Sequence, residues 1–421
     1  MNVPSPTPAF WTWLGAGLVA LVALQVGWSL WQSARRRRLA ARRQEQERAA
    51  LAEQLALARE ARQKRAAETG PWNGFRKFVV QRRVEESPQV CSFHLVAHDA
   101  RPLPAFKPGQ YLTFRLPGSG REGGQLVRCY SLSDHPHQPH YRVTIKRVPP
   151  PPGAPATAGG LGSTHFHTHI KEQDILDVRA PSGHFHLDPH DATPVVLIGG
   201  GIGLTPVYSM LAALVHQKSP REVWLYYGVR HRLEHIFKAE LEAMARAHPQ
   251  IRLRVCYSQP GPTDRLGEDY HVAGRITPEL LQRELPSKNF RFYYCGPGAM
   301  MEALTAGLKA WGVPESHLHF EAFGPLSVKR ASPAGAVRHQ VTFRKTGAAR
   351  SWDASCGSLL DLAEQAGVAI ASGCRTGNCG TCVVAMAEGD VTYVQPPGSP
   401  PEPRTCLACI AQPKGNLVLD V

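Results

Sequence analysis

Hydrophobic and polar positions change period three times along the 421 residues. The first stretch has no period at all: Phe10 to Gln32 is 23 residues without a charged side chain. As a helix rising ~1.5 Å per residue it would reach ~34 Å, enough for a ~30 Å hydrocarbon layer. Trp11 and Trp13 stand at one end and Trp28 and Trp31 at the other, where interfacial aromatics belong, so a transmembrane helix is expected over 10–32. Residues 33–70 follow with Ala, Arg, Glu, Gln and Leu and no glycine before Gly70, a composition that predicts a charged helical linker. From Phe75 the apolar residues fall into short β-type runs, Lys77–Val80, Val90–Val96, Tyr111–Leu116 and Tyr141–Arg147, separated by turn residues such as Pro108-Gly109. Several short strands at this spacing predict a β-barrel or sandwich over 73–190, with 149–160 a Pro/Gly/Ala-rich loop.

From Pro194 the pattern alternates. Strands are expected at Val195–Ile198, Glu222–Gly228, Arg252–Tyr257 and Phe290–Tyr294, and helices at Thr205–Val215, His235–Ala247 and Ala299–Ala310. Such alternation predicts a doubly wound α/β domain with a parallel sheet over 191–325. Residues 326–337 read as a linker, and a last domain spans 338–421.

Charge changes the picture in one place. The net charge is +14, but Arg35 to Arg65 holds eleven Lys/Arg against four Glu, so half the excess sits beside the apolar run. No interleaving of basic and aromatic residues marks a nucleic-acid surface, and no nucleic-acid partner is expected. The positive-inside rule places the amino terminus outside and the catalytic domains on the cytoplasmic side of the inner membrane.

Four of the ten cysteines carry a spacing with chemical meaning: Cys374-x4-Cys379-x2-Cys382, with Cys409 after 26 further residues. This is plant-type spacing for a 2Fe-2S cluster, in which each iron needs two thiolates beyond its bridging sulfides. Gly373, Gly377 and Gly380 let the loop curl so that its amides face the sulfurs. Such thiols must stay reduced, which fits a cytoplasmic setting. Cys91, Cys129, Cys256 and Cys356 have no cluster spacing and read as small core residues. His165-Phe-His-Thr-His169 and His184-Phe-His186 read as strand histidines at the surface or beside a phosphate, without the carboxylate or cysteine neighbours of a metal site.

Three more motifs follow in order. Arg128-Cys129-Tyr130-Ser131 lies on a β-type run between Pro108-Gly109-Gln110-Tyr111 and Gly159-Gly160-Leu161-Gly162-Ser163. An arginine suits a pyrophosphate, and the glycines permit close backbone approach. Gly199-Gly200-Gly201-Ile202-Gly203-Leu204-Thr205-Pro206 joins a strand to a helix, as in turns that bring a helix amino terminus to a pyrophosphate. Tyr294-Cys295-Gly296-Pro297 ends a later strand of the same sheet. Arg230 and Arg232 follow the strand ending at Gly228, where no carboxylate sits to hold a ribose diol, so NADH and NADPH stay equally open.

In this order the motifs resemble the ferredoxin–NADP reductase superfamily over 75–325 and plant-type ferredoxins over 338–421, combined as in oxygenase reductases of the phthalate dioxygenase reductase type. The expected fold is multidomain: to the transmembrane helix read from the apolar run, a departure from that family, the resemblance adds an antiparallel β-barrel flavin domain, the doubly wound nucleotide domain and an α+β β-grasp ferredoxin domain. It implies a flavin held by Tyr111, Arg128, Tyr130, Ser131, Gly162 and Ser163, the Tyr130 ring along it and the Ser131 hydroxyl beside its N5 atom. It implies a nicotinamide nucleotide, NADH or NADPH, near Gly200, Gly201, Gly203, Thr205, Arg230, Cys295 and Gly296, with Phe323 of Glu321-Ala-Phe323 covering the flavin until nicotinamide displaces it. The run Val143–Arg147 and the glycine loop after it look like the FAD module of flavohaemoglobins, which favours FAD over FMN. In plant-type ferredoxins the last ligand precedes a proline by four residues and a terminal strand; Cys409 and Pro413 match, Cys406 does not. The ligand set implied is Cys374, Cys379, Cys382 and Cys409. The expected function is a membrane-anchored NAD(P)H-dependent reductase, passing electrons through FAD and a 2Fe-2S cluster to a protein acceptor such as an oxygenase, desaturase or haem protein. The alternative is the electron-input subunit of a respiratory complex reducing quinone, although the sodium-pumping quinone reductase subunit places its ferredoxin first.

Overall fold

The structure, a computed structural model, describes Gln25, Trp28, Trp31 and residues 72–421, except 118–124, 151–152, 154–158, 189, 324–337, 396 and 398–400. The chain divides into two units, Met1–Arg65 and Ala66–Val421. In the first, Gln25, Trp28 and Trp31 are helical, and the two tryptophan rings stack with centroids 5.1 Å apart. The rest of the expected span at 10–32, the charged helix at 33–70 and the linker at 326–337 lie outside the described residues. Among the described residues no helix is long and apolar enough to cross a membrane. Their longest helices have 13 residues, which at ~1.5 Å per residue fall well short of a ~30 Å layer. The expected inner-membrane localisation, with its outside amino terminus, is corrected accordingly: the structure gives it no support.

Three sheets organise the second unit. The first contains β1 (Arg76–Ser87), β2 (Val90–Ala97), β3 (Tyr111–Pro117), β4 (Gln125–Ser131), β5 (Tyr141–Lys146) and β6 (Ile175–Ser182), antiparallel in the order β4-β3-β6-β1-β2-β5. An antiparallel bridge between Leu132 and Val143 joins the two edges. Phe78, Phe93, Phe114 and Tyr141 fill the interior, and helix α1 (Leu161–Thr168) inserts Phe166 among them, 5.1 Å from Phe93 and 5.2 Å from Phe114 between ring centroids. This helix corrects the strand reading of His165, His167 and His169. One residue of the segment, Phe166, is anchored in the core, and helical spacing puts His165 and His169 on one side with their rings stacked 5.0 Å apart. His167 meets the Ile145 carbonyl at 2.9 Å instead of sharing their face.

The second sheet is parallel throughout, with β7 (Val195–Gly200), β8 (Val223–Val229), β9 (Ile251–Tyr257), β10 (Val272–Ala273), β11 (Arg291–Gly296) and β12 (Leu318–Ala322) in the order β10-β9-β8-β7-β11-β12. Side chains of β7 alternate between two cores. Val195 and Leu197 pack with α2 (Leu204–His216) and α3 (Lys238–Ala247), while Val196 and Ile198 pack with α4 (Pro278–Glu284) and α5 (Gly298–Ala310). Burial on both faces is why these strands read as continuous apolar runs. Helix α3 starts three residues later than its sequence pattern suggests, because Phe237 takes a left-handed conformation (φ 57°) ahead of it. Chain order reverses between β7 and β11, and ligands of such sheets bind outside the carboxyl ends of the strands at that point.

The third sheet orders β13 (His339–Phe343), β14 (Ala348–Trp352), β15 (Val383–Glu388), β17 (Thr405–Leu407) and β19 (Leu417–Leu419) as β14-β13-β19-β15-β17; β16 (Val391–Tyr393) pairs separately with β18 (Ala411–Pro413). Helix α6 (Leu359–Gln365) covers it, started by a reciprocal cap between Ser358 and Asp361.

Candidate functional site

The edge of the first sheet, the reversal point of the second and the cysteine loop of the third meet at one cavity of about 420 Å³. Strand β4 supplies Arg128, Cys129, Tyr130 and Ser131 to its wall, and β3 supplies Tyr111, paired directly with Ser131. The first turn of α1 supplies Gly162 and Ser163. Gly162 has to be glycine here, since a Cβ would come within 2.6 Å of Arg128 Cγ and 2.8 Å of the Tyr130 hydroxyl. Ser163 is turned into its own loop: its Oγ accepts from the Val148 amide at 3.1 Å and donates to the Gly160 carbonyl at 3.0 Å. Tyr130 is held edge-on against Phe166 at 5.2 Å, and burial pushes its hydroxyl above its ordinary pKa. Arg128 Nη1 donates to the Val127 carbonyl at 2.8 Å and to Gly373 of the cysteine loop at 3.1 Å.

The second sheet contributes Ile202 and Thr205 from the glycine turn, Glu321 from β12 and Phe323 just after it. The turn is built for close approach. A Cβ at Gly200 would meet Pro297 at 2.8 Å and Met300 at 2.9 Å, one at Gly203 would fall on the Cys295 carbonyl, and Gly201 has φ +54° with open space beyond. Thr205 is buried, with its Oγ1 donating to the Ile202 carbonyl at 2.9 Å. Cys295 is fully buried within the core beneath the turn, its thiol pushed well up by burial, and neither it nor Gly296 lines the cavity. Arg230 lines an adjoining cleft of about 260 Å³ that shares Lys146 and Ile202 with the main cavity.

Two of the cavity residues go beyond what the sequence assigns to them. Glu321 pairs with Cys295 across β11 and β12. Its Oε2 is buried without a hydrogen-bond partner, and desolvation pushes its pKa up to about 8. Cys129, read as a core residue, is in fact on the cavity wall with Cys374, its Sγ 3.3 Å from Thr113 Oγ1. Alternation along β4 gives no signal for Cys129, since it sets the residue on the face opposite Arg128 and Tyr130; the burial of Glu321 depends on packing, which no local pattern shows.

The cysteine loop 373–382 surrounds its sulfurs with amides. Cys374 Sγ accepts from the amides of Asn378 at 3.3 Å and Cys379 at 3.2 Å, Cys379 Sγ from Cys374 at 3.3 Å, and Cys409 Sγ from Gly377 at 3.3 Å. Gly377 and Gly380 have φ of 73° and 70°, and a Cβ at Gly373 would stand 2.8 Å from Cys379 Sγ. Cys406 lies instead in the sheet core with no exposure, its pKa pushed up to about 12 by burial. Among the described residues no three His, Cys, Asp or Glu side chains are gathered around a single metal ion. A two-iron cluster asks for two thiolates per iron, and inward amides suit its negative sulfurs, so the donor chemistry of the loop fits that group.

Comparison with known proteins accords with this division. The family description "Oxidoreductase FAD-binding domain" matches residues 77–187, "Oxidoreductase NAD-binding domain" matches 197–306, and "2Fe-2S iron-sulfur cluster binding domain" matches 346–414. A flavohemoprotein of Bacillus cereus is 38% identical over 260 residues, 62% of this chain and 63% of that protein; one from Rhodopirellula baltica is 38% identical over 268 residues, 62% and 64%. The chain thus spans less than two thirds of the curated relatives it matches. Among solved structures, phthalate dioxygenase reductase, described as a modular structure for electron transfer from pyridine nucleotides to [2Fe-2S], is 25% identical with a TM-score of 0.52, covering 83% of this chain and 98% of that one. An intact type IV self-sufficient cytochrome P450 monooxygenase gives 25% identity and a TM-score of 0.58, over 82% of this chain and 41% of that one.

Proposed function

For an NAD(P)H-dependent oxidoreductase whose FAD-binding, NAD-binding and 2Fe-2S domains follow one another in the order of phthalate dioxygenase reductase, we propose that this chain passes electrons from NADH or NADPH to a separate protein acceptor of the oxygenase, desaturase or haem-protein class. One observation carries the reading: the β4 motif, Phe323 and the cysteine loop line a single cavity, so a donor site, a flavin site and a cluster site adjoin. When bound, the flavin accepts hydride as an electron pair and releases single electrons, which a two-iron cluster requires.

The chain's own residues bind and orient. Arg128 supplies fixed positive charge to a pyrophosphate, Tyr111 and Tyr130 flank the ring system, and Ser131, 5% exposed, points a hydroxyl into the cavity. Gly162 and Ser163 bring backbone close to phosphate. Gly200, Gly201, Gly203 and Thr205 shape the turn that receives the nicotinamide nucleotide, with Cys295 and Gly296 as its floor. Phe323, on the cavity wall, would cover the flavin until nicotinamide displaces it. Cys374, Cys379, Cys382 and Cys409 hold the cluster. The self-sufficient monooxygenase among the structural neighbours supports an oxygenase or haem acceptor.

The test uses thiolate removal. Cys379→Ser is expected to keep NAD(P)H oxidation with a dye that flavin reduces directly, and to lose most reduction of cytochrome c. Cys409→Ser should abolish or strongly alter the cluster's visible and EPR signals with flavin retained, and Cys406→Ser should leave them in place. Intact cytochrome c reduction in Cys379→Ser sinks the proposed route, and a cluster lost in Cys406→Ser but kept in Cys409→Ser reverses the ligand assignment.

A further inference from the structure

The cleft of about 260 Å³ beside the main cavity runs from Gly201 and Ile202 to the carboxyl end of β8. In open parallel sheets this is the direction in which a dinucleotide extends from the glycine turn towards its adenosine ribose. Sequence spacing puts Arg230 and Arg232 there and no carboxylate within the strand end. The chain then makes a 3-10 turn, Arg232–Glu234, and returns Glu234 to the cleft.

We propose that Glu234 selects NADH over NADPH, an inference that rests on the nucleotide site assigned above. Its carboxylate, 16% exposed, takes Lys146 Nζ of β5 at 3.0 Å and the guanidinium of Arg230, and accepts from the Arg230 amide at 3.3 Å. The two cations best placed for a 2′-phosphate are therefore both engaged by one carboxylate, which a phosphate would have to displace. Arg232, the third, has Nε 3.9 Å from the buried carboxylate of Asp264. A phosphate of charge near −2 entering this cleft meets the Glu234 carboxylate and has to strip it of its partners. A ribose diol brings no charge, and Glu234, after accepting from Lys146 and from the Arg230 guanidinium and amide, has about one acceptor site left for a ribose hydroxyl. Arg230 and Lys146 also hold the Glu234 pKa down to about 2, so the anion persists at every working pH.

The experiment measures the second-order rate of flavin bleaching in the FAD-loaded full chain, anaerobically, with NADH and with NADPH. The wild type is expected to favour NADH by at least about tenfold, the worth of one hydrogen bond to a charged group. Glu234→Gln keeps shape and removes charge; it should lower the NADH:NADPH ratio by about tenfold or more, mainly through faster reaction with NADPH. Equal or better use of NADPH by the wild type, or an unchanged ratio in Glu234→Gln, overturns the proposal while flavin reduction itself upholds the function above. Bleaching by neither nucleotide overturns that function and this inference with it. Should Glu234→Gln fail to retain flavin, competition in the wild type decides: ADP-ribose should inhibit more strongly than its 2′-phosphate, and the reverse order overturns the selection.

Discussion

A carboxyl with a buried, unpartnered oxygen is costly to ionise, and Glu321 is such a group at the edge of the flavin cavity. Its pKa, raised by desolvation from 4.5 to about 8, fixes the sign of a pH effect. The folded chain keeps this proton where the unfolded chain has lost it, so the contribution is most favourable below pH 4.5 and is lost as pH rises to about 8. Glu321→Gln should abolish that loss. Thermal melts of the flavin-free protein from pH 5 to 9 should show the variant gaining on the wild type as pH rises, by about 1–3 kcal/mol at the alkaline end, the cost of an unsatisfied buried group. A constant offset between the two across the range would show that Glu321 finds a partner in solution.

Among the elements, the glycine turn between β7 and α2 is the tightest. Gly203 rests on the carbonyl of Cys295, so the turn and the end of β11 form one packed unit. Gly203→Ala forces a shift of backbone against backbone, with no flexible side chain to give way. The expected cost is about 1–3 kcal/mol, as for other overpacked sites. The functional loss should be selective: NAD(P)H-driven flavin bleaching should slow several-fold, while chemical reduction by dithionite proceeds at the wild-type rate. Wild-type kinetics with nucleotide would mean that the turn does not bear on nucleotide binding. Helix α1 offers the complementary case, with Gly162 packed against Arg128 and Tyr130, so a change at either end of that contact bears on flavin retention.

For the molecule as a whole, the contact between the first sheet and the cysteine loop sets how the two redox sites communicate. Among the described residues, hydrogen bonds across it include Tyr111 Oη to the Asn378 carbonyl at 2.9 Å, Arg128 Nη1 to Gly373 at 3.1 Å and Arg179 Nη1 to Cys379 at 2.8 Å. Arg179 stands outside the flavin cavity, its guanidinium carbon 4.8 Å from the centre of the Phe75 ring. Arg179→Ala should loosen the cluster loop without touching hydride uptake. In stopped flow, flavin bleaching by nucleotide should be unchanged and the later loss of cluster absorbance several-fold slower. Equal slowing of both phases would place Arg179 in the folding of the first sheet instead.

The sequence by itself determined what depends on residues close together in the chain. Cys374-x4-Cys379-x2-Cys382 with its glycines, the run Arg128–Ser131 and the turn Gly199–Thr205 each fix a local backbone shape, and that shape is most of their chemistry. Period-two and alternating patterns gave the antiparallel and parallel sheets, because burial on one face or two writes itself into successive residues. The same apolar pattern also led to a membrane placement that no described helix supports. What the tertiary structure alone decided depends on partners far apart in the chain. Phe166 docks among Phe93 and Phe114 and makes a helix of a histidine segment that reads as a strand. Glu234 becomes the counter-ion of Lys146, 88 residues away, and engages Arg230, which the sequence alone offers as a phosphate ligand. Glu321 stands in the sequence only as a neighbour of Phe323, because a carboxylate is perturbed by desolvation, and desolvation follows from how sheets and loops close over it.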